Sequence, residues 1–130
     1  MLSRRSFVFS LTAAVHVLRP RQQGGHPDPR PGIDGRNVLT AEGLRGYGDD
    51  IIELFNHVRE MPQIADGLRC YCRCTGQPGL RSLLSCYEGG GMAADCEICQ
   101  AEGRLVYNRF KEGQTLEQIR RAVEARFAHG

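Results

Sequence analysis

All six cysteines of this 130-residue chain fall between Cys70 and Cys99, in the order Cys70-Tyr71-Cys72-Arg73-Cys74, then Cys86, then Cys96-Glu97-Ile98-Cys99. Thiolates do three things well: they bind soft metals, pair as disulfides and exchange electrons. In an extended loop alternate residues point the same way, so Cys70, Cys72 and Cys74 can turn their thiols toward one ion or one small cluster. Two cysteines three apart on a helix share a face, so Cys96 and Cys99 suit two ligands of one metal. A helix beginning near Ala93 adds an N-terminal dipole that favours thiolate there. Cys86 is available as a sixth donor. Four thiolates satisfy tetrahedral zinc, and six suit a thiophilic cation such as Cu(I). The metal expected at these six cysteines is therefore copper or zinc, although their spacing is that of neither a zinc finger nor a ferredoxin.

The same residues support two other chemistries. An even number of cysteines in an exported domain also reads as a disulfide framework, each bridge adding about 2–4 kcal/mol by restricting the unfolded chain. Neighbours within a CxC are poorly placed to bond each other, so Cys70, Cys72 and Cys74 would each need a partner among Cys86, Cys96 and Cys99. That would make a disulfide-stapled interaction module without metal. A CxxC at a helix start is also a redox pair, but no strand precedes it and no βαβ pattern surrounds it, so a thioredoxin-like reading is weak.

Other donors are sparse. His57 lies at the edge of an apolar helix face, and His26 and His129 fall in ends that read as flexible. Met61 and Met92 can offer thioether to Cu(I), and both also suit packing. Asp95 and Glu97 read as helix-start charges and Glu88 as a solvated one. No nucleophile–base pair, phosphate loop or carboxylate dyad is visible, so the sequence points to binding rather than to an enzyme.

Charge is unevenly spread over a chain of formal net charge +2. Residues 1–37 hold six arginines against Asp28 and Asp34, whereas acidic residues outnumber basic ones beyond them. The folded part thus lacks the basic footprint of a nucleic-acid binder.

The chain opens Met1-Leu2-Ser3-Arg4-Arg5-Ser6-Phe7, followed by a weakly apolar run to Leu18. Ser3, the arginine pair and Phe7 resemble a twin-arginine export signal, and the run is too short for a bilayer span of about twenty apolar residues. The resemblance implies a periplasmic or otherwise extracytoplasmic protein that meets the export machinery and crosses folded, its metal loaded in a compartment where thiols stay reduced. Its partner protein in the envelope stays unspecified.

Behind this signal (1–18), residues 19–39 read as a Pro/Gly linker. A helical domain spans 40–130. Leu44, Tyr47, Ile51, Leu54, Phe55, Val58 and Met61 recur at three- and four-residue steps, with Thr40 as N-cap and Asp49 to Glu60 as the firm part. Pro62 breaks the run, and a short turn ends at Gly67. Leu80 to Tyr87 predicts a short helix and Ala93 to Lys111 a longer one, with Gly103 as a kink. Thr115-Leu116-Glu117-Gln118 is a capping box that starts a helix reaching about Phe127. No strand or repeat is evident. The expected fold is all-α, a small bundle of about four helices with a cysteine-rich loop in the middle.

The run Cys70-Tyr71-Cys72-Arg73-Cys74, the segment Ser82-Leu83-Leu84-Ser85-Cys86-Tyr87-Glu88 and the pair Cys96 and Cys99 around Ile98 resemble the PCYCGC-motif proteins, small exported bacterial proteins, over about residues 40–128. Arg69 stands where that motif has proline and Arg73 where it has glycine. Related sequences carry histidines where Leu80-Arg81 and Ala94-Asp95 stand here, which implies an all-sulfur site in this chain. The resemblance implies a metal-handling or stress-related role in the envelope and names no substrate.

Overall fold

The computed structural model describes residues 25–73 and 77–128, so the expected signal, Cys74 and His129 lie outside the described residues. Within them the chain is all-α: α1 (Asp49–Glu60), α2 (Pro62–Asp66), α3 (Leu83–Cys86), α4 (Glu97–Lys111) and α5 (Leu116–Phe127), with a 3-10 turn at Ala93–Asp95. An isolated antiparallel bridge joins Val38 and Glu88. No described helix is long and apolar enough to cross a membrane.

The apolar stripe of α1 buries Ile51, Leu54, Phe55 and Val58 against α4, with Asp49 and Asp50 in its first turn complementing the helix dipole. Its N-cap is Gly48 rather than Thr40. Residues 40–46 form turns instead of helix, because Gly43, Gly46 and Gly48 weaken the run and Gly46 sits at φ +90°. Pro62 ends α1 and opens α2 as its first residue. The predicted Leu80–Tyr87 helix shrinks to α3, since Ser82 adopts an extended conformation (φ −150°) and caps the Ser85 amide. Likewise the helix expected from Ala93 starts at Glu97. The Thr115–Gln118 capping box forms as expected.

Residues 25–39, assigned by composition to a linker, lie against the helices. His26 is 2% exposed, not in a flexible end. Its Nδ1 accepts the Arg69 amide at 2.9 Å and its Nε2 faces Glu124 Oε1 at 3.1 Å. Arg120 donates to the Pro27 carbonyl at 2.8 Å and Arg81 to the Asp28 carbonyl at 2.9 Å. Arginine side chains reach back to a backbone whose own composition offers no packing signal.

Asp66 anchors this arrangement. Fully buried, it accepts from the Arg30 amide and guanidinium, pairs with Arg81 at 2.7 Å and takes the Ser82 hydroxyl at 3.1 Å. Burial alone would raise its pKa, but Arg30 and Arg81 together hold it below the ordinary carboxylate range. Stability from a carboxylate with a depressed folded pKa is present above its unfolded value and is lost as pH falls through the folded one. Asp66→Asn should therefore cost about 3 kcal/mol at neutral pH and much less once the pH falls through the depressed folded pKa. Urea denaturation of both proteins at neutral and acid pH checks this.

Candidate metal centre

Three parts of the chain meet beneath α4. Cys70 and Cys72 leave α2 through Leu68, whose carbonyl takes the Leu83 amide at 2.8 Å and so ties their segment to α3. Cys86 ends α3, and Cys99 sits in the first turn of α4. The sulfurs of Cys70, Cys72, Cys86 and Cys99 all lie within 4.8 Å of one another. The sulfurs of Cys70 and Cys99 lie 3.3 Å apart. A tetrahedral ion with sulfurs about 2.3 Å away has sulfur–sulfur edges of about 3.8 Å, so a small adjustment fits these four around one centre. Cys70, Cys86 and Cys99 are buried and Cys72 is half-buried.

The expected convergence of the loop on the helix is thus present for Cys70, Cys72, Cys86 and Cys99, and Cys74 lies outside the described residues. Cys96 lies outside the mutually close set. Its Sγ, at the N-cap, accepts the Cys99 amide at 3.5 Å. The two cysteines were expected to share a helical face, but α4 begins only after Cys96, which has extended backbone (φ −114°, ψ 109°). Cys86, expected from the sequence as a sixth donor, is in the set. Met61 is buried in the core, Met92 is exposed, and His57 stacks on Tyr107 at 3.8 Å away from the sulfurs. His57 is not part of the set.

The surroundings hold the thiols neutral. At Cys70 the Cys86 contact favours thiolate, but Cys99, burial and Glu102 outweigh it and raise the pKa. Cys86 is pushed up by its contact with Cys70 and by burial. At Cys99 the lowering effect of Cys70 is overcome by Cys86 and burial. Crowded thiolates repel one another in a low dielectric, and a bound cation inverts that sign. Ion binding at this centre must therefore release protons.

Glu102, one turn after Cys99 on the inward face of α4, was missed in the sequence. Its place in the row Cys99, Glu102, Val106 was the available signal. It is fully buried, and its Oε2 accepts the Tyr71 amide at 3.1 Å, fixing the backbone between Cys70 and Cys72. Burial pushes its pKa up to about 8, against the opposing pull of the Tyr71 amide and Cys70. A carboxyl raised from 4.5 in this way contributes stability that is complete below pH 4.5 and is lost as pH rises toward 8. The metal-free domain should accordingly weaken between about pH 5 and 8, and Glu102→Gln should flatten that slope. Thermal melts in chelator across this range test it.

Tyr87 completes the centre's frame. Its buried hydroxyl donates to the Cys99 carbonyl at 2.6 Å, and its ring packs edge-on against Phe55 at 4.7 Å. The hydroxyl reaches that carbonyl over Gly103, where a Cβ would collide with it. Gly103, expected as a kink, lies inside an unbroken helix and serves this close approach.

No family model, curated protein or solved structure matches this chain.

Proposed function

We propose that this chain binds one soft metal ion through Cys70, Cys72, Cys86 and Cys99, and that it holds or buffers the ion without turning over a substrate. The observation that carries this reading is the meeting of four sulfurs from three separate segments within 4.8 Å. Zinc and Cu(I) both suit thiolate. A buried four-thiolate set favours zinc, because a divalent ion leaves a net charge of −2 in the low dielectric and a monovalent one leaves −3. On this reading the twin-arginine-like start sends the folded, loaded chain out of the cytoplasm, and the likeness to PCYCGC-motif proteins supports a role in the envelope.

The 3.3 Å approach of Cys70 and Cys99 favours one competitor, a disulfide-stapled interaction module. A bond needs about 2.05 Å, so the two sulfurs would have to move closer together. Purification under reducing conditions, followed by metal analysis and a thiol count before and after denaturation, separates the two. One ion per chain, with thiols that react only on its release, supports the metal reading. Absence of metal, with thiols lost in air, supports the staple.

A further inference from the structure

A groove of about 510 Å³ opens beside the sulfur centre, lined by Tyr71, Cys72, Arg73, Ile98, Arg126 and Phe127. Its size suits a small molecule. It reaches Cys72, the half-buried member of a set whose other three sulfurs are buried. Ile98, 44% exposed, and the Phe127 ring give it an apolar floor. The exposed Arg73 and Arg126 supply positive charge, Arg126 lying over the Phe127 ring at 5.3 Å, and no carboxylate among the described residues lines the groove. Arg73 sits at φ +66°, the left-handed region that favours glycine, so a bulky cation is kept where the backbone prefers none.

We propose that this groove is a port at which a small anionic thiol, of the class of a carboxylate-bearing tripeptide thiol, exchanges the bound ion. The inference rests on the metal-binding reading. A soft cation travels as a thiolate complex rather than free. The carboxylates of the incoming thiol pair with the Arg73 and Arg126 guanidiniums, for which a planar fork is well matched. Its sulfur then replaces Cys72 on the ion, and the proton it carried passes to the Cys72 sulfur. One metal–sulfur bond forms, one breaks, and no electrons change hands.

The test is transfer of zinc from the loaded full chain to a chromophoric chelator, driven by glutathione or by the cationic thiol cysteamine at equal thiolate concentration. Glutathione should release the ion about tenfold faster. The double variant Arg73→Gly, Arg126→Gln should erase that advantage by slowing glutathione, with the cysteamine rate equal or higher and the zinc stoichiometry unchanged. Equal rates for the two thiols in the native chain, or an equal loss for both in the variant, would overturn the proposal. A second measurement separates failure of the port from failure of the metal reading. S-methylglutathione, which has no free thiol, should shift the NMR signals of Ile98 and Phe127 in the metal-free chain but not in the double variant. If the chain takes up no zinc, the metal reading falls, and this titration alone decides whether the groove binds the anion: absent shifts overturn it.

Discussion

Replacing any one of Cys70, Cys72, Cys86 or Cys99 with serine should weaken metal affinity by more than the roughly 100-fold that loss of an outer partner costs, whereas Cys96→Ser should leave it within a few-fold. The contrast follows from placement. The first four sulfurs share one centre, and the Cys96 sulfur lies outside that set, where it accepts the amide of Cys99. Serine is a better N-cap than cysteine, so Cys96→Ser should hold or raise the stability of α4 by up to about 1 kcal/mol. Spacing alone favours Cys96 over Cys86 as a ligand, so these two variants separate the readings most sharply. Competition with a chelator of known affinity ranks the five variants. Loss at Cys96 equal to that at Cys86 would refute the assignment.

Gly103→Ala is the second large effect. In an exposed helix this change stabilises by about 1 kcal/mol. Here the added methyl meets the Tyr87 hydroxyl, which is buried and pinned to the Cys99 carbonyl, and it also crowds Leu54. Overpacking of this kind costs about 1–3 kcal/mol. The strain falls on Tyr87, next to Cys86, and on the turn bearing Cys99, so metal affinity should fall together with stability. Adding Tyr87→Phe removes the colliding oxygen and should recover part of the loss, a coupling that two unrelated sites would not show. Denaturant titrations of the single and double variants provide the measurement. A stabilised Gly103→Ala protein would contradict the close approach.

The helices were legible where strong punctuation framed a clear apolar period. Pro62 and the Thr115–Gln118 box fixed the end of α1 and the start of α5, because ring sterics and reciprocal capping act within a few residues. The start of α4 was not legible. Ala93, Ala94 and Asp95 continue a helical composition, and only the structure shows them in a 3-10 turn that leaves Cys96 extended. That single boundary removed Cys96 from the centre. Glu102 went unread because a glutamate in a helix is ordinarily a surface residue, and its burial depends on where the Cys70–Cys72 segment lands. The docking of residues 25–39 was hidden for a related reason: the groups that hold this segment, Asp66, Arg81 and Arg120, belong to distant parts of the chain.

The most direct test of the four-sulfur centre is cobalt(II) titration of the reduced, metal-free protein, followed by visible absorption. Four thiolates around one ion give intense tetrahedral d–d bands and sulfur-to-cobalt charge transfer. Those bands should saturate at one cobalt per chain, be displaced by zinc, persist in Cys96→Ser and vanish in Cys99→Ser. Weak octahedral absorption, or bands untouched by Cys99→Ser, would contradict the account.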